Sequence, residues 1–231
     1  MRIGGMQKNS FIDYPGKVSC VLFAAGCNFD CPYCHNPQLV GENGGVAFIE
    51  ESDVLDFLAD RRGFLDGVVI SGGEPALQDD LIPLCERIRE MGYPIKLDTN
   101  GSRPRRIEAL IQRGLVDYLA MDIKTAPEGY APLIQKDSRS ESIVESIQLI
   151  MNSGLDYEFK TTCVKPLVDE TVMETICRII QHARLYVLQQ YHPAEVLHPE
   201  FFEVEDRLFS DQALERLRSI AAPWVRECII R

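Results

Sequence analysis

Basic charge is scarce in this sequence. Lys and Arg number 24 against 35 Asp and Glu, a formal net charge of −11, and no polybasic run offsets it. That balance argues against a surface for nucleic acid or anionic membrane, although an acidic surface can still meet a basic protein partner. Long hydrophobic runs are missing as well. No apolar stretch approaches the roughly 20 residues needed to cross a bilayer. The first 13 residues lack the charged start and apolar run of a signal peptide. A soluble, cytoplasmic protein is therefore expected, with no nucleic-acid and no membrane partner. Repeats, low-complexity tracts and linkers are absent too, so one domain is expected over residues 1–231. Hydrophobic residues make up 45 %, enough for a substantial core and too many for a disordered chain.

Disulfides are not expected, although there are eight cysteines. Disulfide frameworks belong mainly to small secreted chains, and this one is long. Cys20, Cys85, Cys163, Cys177 and Cys228 are scattered through apolar contexts and read as buried core thiols. The other three cluster in "GCNFDCPYCHNP" (26–37), where Cys27, Cys31 and Cys34 fall within eight residues. A short thiol-rich loop of this kind binds metal. The fourth thiolate is what is missing. A closed zinc site takes four ligands, typically as two separated pairs. His35 is the nearest fourth donor, but it adjoins Cys34, and adjacent side chains rarely converge on one tetrahedral ion. An iron–sulfur cube takes one ligand per iron, so three thiolates would leave one iron open to a substrate or cofactor. Spacing favours the cube and leaves zinc standing.

β-rich and helical runs alternate along the chain. Strands are expected over 18–25, 67–71, 94–99, 116–124, 157–165 and 185–191, where β-branched and apolar residues concentrate. Helices are expected over 53–62, 79–92, 105–114, 138–154, 169–183 and 210–222, with Ser210 as an N-cap. Strict alternation implies parallel strands and right-handed crossovers, as either a doubly wound sheet or a full or partial (β/α) barrel. In both, function gathers beyond the carboxyl ends of the strands. The oddities of the sequence fall there: the cysteine loop, "SGGEP" (71–75), "DTNG" (98–101), "MDIK" (121–124) and "QQYHP" (189–193). Gly72 and Gly73, lacking Cβ atoms, let backbone approach a small ligand, and Glu74 is an acceptor for an ammonium group. Asp98 and Asp122 suit a cation or ribose hydroxyls, or are solvated strand ends. Lys124 suits a carboxylate, and His192 is either a structural residue or a ligand contact.

These motifs carry a resemblance. C-x3-C-x2-C with Tyr33 before the last cysteine looks like the radical S-adenosylmethionine (SAM) superfamily, and "SGGEP" resembles its GGE motif. "CHN", "LDTNG" and "MDIK" resemble the glycyl-radical-enzyme activases. "QKNSFIDYPGKVSCVLFAAGCNFDCPYCHNP" is most similar to the branch named anaerobic ribonucleoside-triphosphate reductase activating proteins. The likeness runs from about Gly5 to Pro193.

The resemblance implies a single-domain partial (β/α)6 barrel with its core over about 16–193 and a C-terminal extension over 194–231. Cys27, Cys31 and Cys34 would hold one [4Fe–4S] cluster. Its open iron would chelate the amino and carboxylate groups of SAM. Tyr33 and His35 would lie against the cofactor, while Gly72, Gly73 and Glu74 would meet its ammonium. Asp98, Thr99 and Asp122 would surround a monovalent cation beside the SAM carboxylate, with Asn100 in the same loop. Lys124 would contact that carboxylate and His192 the nucleoside end. A low-potential donor such as flavodoxin or ferredoxin would supply an electron. The S–C5′ bond would break, and the 5′-deoxyadenosyl radical would take a hydrogen atom from a glycine in a partner enzyme.

Departures from the family pattern bear on the partner. Pyruvate formate-lyase activases carry Gly-Pro-Gly and an arginine before the first strand, where this chain has "DYPGK" with Tyr14 in place of the first glycine. Many relatives have arginine near Lys160. No cysteine lies between Cys34 and Glu74, so a second cluster is not expected. Activation of another glycyl-radical enzyme such as pyruvate formate-lyase, a radical SAM enzyme acting on a small molecule, and a zinc- or cluster-bearing binding module are the alternatives. The segment 192–210 has no clear period. Its Phe201, Phe202 and Phe209 are expected to seal the barrel bottom or side, the alternative being a partner-docking role at the mouth.

Overall fold

A computed structural model of the chain describes residues 1–41, 47–134, 139–192, 195–203 and 206–231. Ser138 at the start of an expected helix lies outside them, as do Pro193 and Ala194 at the expected end of the core. The sheet has eight strands in chain order: β1 (Ile3–Ser10), β2 (Ser19–Ala24), β3 (Gly67–Gly72), β4 (Ile95–Thr99), β5 (Tyr118–Asp122), β6 (Asp156–Cys163), β7 (Tyr186–Gln190) and β8 (Cys228–Ile230). β1 pairs antiparallel with β2, and every later pair is parallel. The order runs from β1 to β8 without closing, so this is an open, partial barrel of the expected α/β class.

The six strands expected from the sequence are β2 to β7. Two more frame them. β1 reads "IGGMQKNS", with two glycines and four polar residues, and lacks the apolar alternation that marks a strand. It forms because β2 offers it an edge. β8 is three residues long and belongs to the segment expected as an extension, yet it pairs with β7 and lengthens the sheet.

Between the strands stand α1 (Pro37–Val40), α2 (Glu51–Asp60), α3 (Leu81–Glu90), α4 (Pro104–Gln112), α5 (Ser140–Met151), α6 (Glu170–Ile179) and α7 (Asp211–Ala221). The Ser210 side chain accepts from Ala213 N–H and caps α7 as expected. Each longer helix turns an apolar stripe to the sheet, such as Leu81, Leu84, Cys85 and Ile88 of α3. The main core lies between helices and sheet and contains Cys20, Cys85, Cys163, Cys177 and Cys228 as buried thiols.

The inner face of the sheet is different. Tyr14, Val21 and Val69 form a small separate cluster with Phe23 and Tyr118 packed on it. Strand residues two apart share a face, and on β4 and β6 the inward positions are charged: Lys96 and Asp98, Glu158 and Lys160. The barrel is thus apolar around Tyr14 and ionic toward the carboxyl ends of β4 to β6.

Candidate active site

A cavity of about 450 Å³ opens at the carboxyl ends of the strands. All three clustered cysteines line it. So does every other residue expected in the site except Glu74, and the structure adds Lys160, Thr162, Gln189 and Arg231.

The cysteine loop is held by its backbone. Gly26 N–H donates to Leu39 O (2.6 Å), Asp30 N–H to Leu133 O (2.8 Å), and Gln78 Nε2 to Ala25 O (2.6 Å). Cys34 N–H donates to Cys31 O (3.0 Å), a tight turn that turns both thiols to one cavity. Burial pushes the Cys27 thiol up to about 11 and the Cys31 thiol up to about 12. Such thiols keep their protons until a cationic centre displaces them, which is how a metal or cluster binds. Cys27 Sγ also accepts from Phe29 N–H (3.4 Å) and lies 3.9 Å from Asn100 Nδ2, contacts that would support a bound thiolate. Among the described residues, no three His, Cys, Asp or Glu side chains converge on one metal-ion position. Three thiols sharing one cavity without converging on a single ion position fit a cluster that takes one ligand per iron. Tyr33 is buried beside them, and its hydroxyl finds no hydrogen-bond partner among the described residues.

Gly72 and Gly73 line the cavity and have a structural part besides. A Cβ on Gly73 would sit 2.2 Å from Gly26 O, and one on Gly72 2.5 Å from Ala24 N. What comes close to these glycines is the backbone entering the cysteine loop. Gly73 N–H donates to Ala24 O (2.8 Å) and Glu74 N–H to Gly26 O (2.9 Å), so the motif fastens the cysteine loop to β3.

Glu74 is set apart from the cavity, with 0 % exposure. Its carboxylate accepts from Ala76 N–H (2.9 Å), Thr99 Oγ1 (2.8 Å) and Asn100 N–H (2.6 Å). Burial pushes it up to about 7 against those three donors. Here it holds the 98–101 loop in place. Asn100 in turn reaches Asn28 Oδ1 (3.1 Å), next to Cys27.

Opposite the cysteines lies an ionic ring. Lys160 Nζ stands 3.4 Å from Asp98 Oδ2 and 3.8 Å from Asp122 Oδ1, and Lys124 Nζ is 3.3 Å from Asp122 Oδ2. Lys96 pairs with Asp98, and Arg231 donates to Glu158 (2.9 Å). Burial alone would raise Asp98, but Lys160 and Lys96 outweigh it and hold the carboxyl below its ordinary value. Burial likewise pulls against the Lys124 ammonium, but Asp122 together with Tyr33, Cys31 and Cys34 outweighs it and holds the ammonium above its ordinary value. The place between Asp98 and Asp122, where the resemblance implied a monovalent cation, thus has an ammonium of the chain's own.

The mouth has an aromatic wall. His35 stacks on Tyr191 (5.1 Å between centroids), Tyr191 on Phe202 (4.7 Å), and Phe201 meets Phe202 edge-on. His198 donates through its backbone to Pro32 O (3.2 Å), and its ring lies 2.7 Å from Asp30. This corrects, for Phe201 and Phe202, the expectation that they seal the barrel bottom or side: both are at the cysteine rim, whereas Phe209 meets Lys165. His192 lines the cavity nearby, and desolvation lowers the His35 imidazole.

Sequence reasoning missed Lys96, Glu158 and Arg231 and noted Lys160 only as a departure. The signal for Glu158 and Lys160 was the "EFKT" alternation, polar at every second position of a strand buried on both faces.

The radical SAM superfamily model matches residues 21–178. A protein of Methanocaldococcus jannaschii, provisionally named as a glycyl-radical enzyme activating enzyme, is 35 % identical over 99 % of this chain and 95 % of its own length. The pyruvate formate-lyase-activating enzyme of Clostridium pasteurianum is 26 % identical over 93 % of this chain and 92 % of its own. Among solved structures, Streptococcus suis SuiB bound to S-adenosylmethionine superposes with a TM-score of 0.68 at 12 % identity, covering 91 % of this chain and 51 % of that one, a likeness of fold. With a family model across most of the chain and a relative matched nearly end to end, the chain is an enzyme of the radical SAM superfamily, whose members use a [4Fe–4S] cluster and S-adenosylmethionine.

Proposed function

We propose that the protein cleaves SAM reductively and installs a glycyl radical on a partner enzyme, an anaerobic ribonucleoside-triphosphate reductase. The observation that carries the reading is the single cavity in which three thiols face a ring of ammonium and carboxylate groups at the carboxyl ends of the strands. The names of the two sequence relatives support the activase class. The choice of reductase rests on the likeness of residues 7–37 to that branch.

Cys27, Cys31 and Cys34 would hold the cluster. When bound, it supplies the electron that breaks the S–C5′ bond of SAM, releasing methionine and a 5′-deoxyadenosyl radical able to take a hydrogen atom from a glycine Cα. The chain's residues bind, orient and shield. Lys124 and Lys160 present positive charge to a carboxylate. Asn100, held by Glu74, braces the Cys27 side. His35, backed by Tyr191 and Phe202, walls the mouth and excludes water. Reacting atoms must approach to about 3–3.5 Å, so the glycine loop of the partner must enter the mouth, which an unclosed sheet leaves accessible.

The test uses anaerobically reconstituted protein, reduced and mixed with SAM and a candidate reductase. The expected result is 5′-deoxyadenosine together with a glycyl-radical EPR signal on the reductase, and only slow SAM cleavage without it. Several reductases, including that of the same organism, remaining radical-free while a small metabolite is converted would replace the activase reading with a small-molecule one.

A further inference from the structure

A second concavity, of about 800 Å³, is bordered by Ser102, which follows the 98–101 loop, and shares no lining residue with the cysteine cavity. Four arginines line it: Arg103, Arg105, Arg106 and Arg139. Among the described lining residues the acidic ones are Asp79 and Glu145; Arg106 pairs with Asp79 at 2.9 Å, and Arg103 has a partner as well. Arg105 and Arg139 are exposed. In a chain of net charge −11 this is a local reversal of sign.

The placement of these arginines runs against helix chemistry. Helix N-termini carry partial positive charge and favour acidic residues or side-chain caps. Here Arg103 is the N-cap of α4 and Arg139 the N-cap of α5, and neither makes a side-chain cap bond. The first turn of α4 has no acidic residue and contains Arg105 and Arg106. Two helix N-termini therefore share one opening with the exposed guanidinium groups of Arg105 and Arg139, against Glu141 in the first turn of α5. Local rules broken together in this way mark a functional surface, and the field selects an anionic occupant.

The back of the concavity leads to the cysteines. Ser102 lines it and donates to Asn28 Oδ1 (3.3 Å). Asn28 precedes Phe29 and follows Cys27, and Asn100 Nδ2 bridges Asn28 Oδ1 (3.1 Å) and Cys27 Sγ (3.9 Å). One layer of small polar side chains thus separates the arginines from the first cluster ligand. The concavity shares no lining residue with the active-site cavity, so a carrier there leaves that lining to the glycine partner.

We infer that this arginine concavity docks the electron donor, a soluble one-electron carrier protein with an acidic face around its redox centre. The inference rests on the radical SAM reading. One electron leaves the reduced carrier, a flavin hydroquinone becoming the semiquinone, and reduces the cluster from its 2+ to its 1+ state. No bond forms or breaks. An electrostatically steered, short-lived encounter suits a small interface of this kind.

The experiment compares wild type with an Arg105→Glu/Arg139→Glu double variant and with Arg178→Glu/Arg216→Glu, which makes the same charge change on α6 and α7. The probe is photoreduced bacterial flavodoxin. Stopped-flow absorbance gives the rate of cluster reduction in reconstituted protein, and titration gives flavodoxin binding to the cluster-free protein. At low salt the Arg105/Arg139 variant should lose about tenfold or more in both, with a shallower salt dependence. Reduction by dithionite and SAM affinity should match wild type. Equal flavodoxin rates in wild type and variant, or an equal loss in the Arg178/Arg216 control, would overturn the docking site. Inorganic phosphate binding to the concavity without competing with flavodoxin would overturn it in favour of a small-anion pocket. Normal SAM cleavage with dithionite in those cases would leave the radical SAM reading intact, and its loss in wild type would overturn that reading instead.

Discussion

The Lys160 ammonium bridges Asp98 and Asp122, at 3.4 and 3.8 Å, across two strands of the barrel interior. Asp98 and Asp122 stand on neighbouring strands, and without the Lys160 ammonium each keeps one cationic partner, Lys96 and Lys124 respectively. Lys160→Met should destabilise the cluster-free protein by less than the about 3–5 kcal/mol that follows from leaving a buried charge unpaired, since Lys96 still pairs Asp98 and Lys124 still pairs Asp122. Adding Asp98→Asn should cost less than the sum of the two single changes, because the second change removes a charge that the first left with one ammonium fewer. SAM binding to wild type should not change when sodium is replaced by potassium, whereas the Lys160→Met variant should become cation-sensitive. Urea denaturation and SAM titration read these outcomes. Additive costs together with a cation-dependent wild type would mean that Lys160 does not fill the position.

Cys27→Ala, Cys31→Ala and Cys34→Ala should each lose the cluster on anaerobic reconstitution, while Cys20→Ala and Cys163→Ala retain it. The first three share the cavity, and the other two lie in the helix-facing core. Iron and sulfide analysis decides the matter: zinc alone in wild type, or full iron in all three cavity variants, would remove the cluster from this loop.

Glu74→Gln should destabilise the cluster-free protein by about 1–3 kcal/mol. Both carboxylate oxygens face donors, so an amide NH2 would be set against an N–H or O–H. The cost depends on pH. Burial raises the folded-state pKa from an ordinary 4.5 to about 7. Stability from this group is therefore fully present below pH 4.5 and is lost as pH rises toward 7. Glutamine does not titrate, so the deficit of the variant should narrow between pH 5 and 8. Denaturation midpoints at the two pH values check this, and a gap that is absent or widens would contradict it.

Much of this architecture was legible because parallel strands buried on both faces leave short apolar runs bounded by glycine and polar residues, as β3 and β5 show. β1 was not legible, since an edge strand borrows its stability from a neighbour rather than from its own residues. β8 was too short to stand out. In the site, the motif residues could be assigned by position along the rim, but their partners could not. Glu74 reads as a ligand-facing acid in sequence and is buried because the donors of Ala76, Thr99 and Asn100 surround it. Arg231 joins the cavity only because β8 places the end of the chain beside Glu158.

The last prediction concerns the join between β3 and the cysteine loop. Gly73 and Gly26 meet backbone to backbone, and a methyl group on Gly73 would fall 2.2 Å from Gly26 O. Neither side can give way cheaply. Gly26 is fixed by its bond to Leu39 O and accepts from Glu74 N–H, while Gly73 N–H is bonded to Ala24 O. Gly73→Ala should therefore push the cysteine loop away from β3 and disturb the approach of Cys27, the residue after Gly26. The expected outcome is a folded protein, by circular dichroism, that assembles clearly less cluster per chain and binds SAM more weakly. Gly5→Ala is the comparison, because a Cβ there meets its nearest neighbour, the Phe23 ring, at 3.6 Å, an ordinary contact. That variant should assemble its cluster normally. If Gly73→Ala assembles a full cluster with unchanged SAM affinity, the glycine pair does not set the position of the cysteine loop. Its requirement for glycine must then come from direct approach of a ligand, the part first read from the sequence.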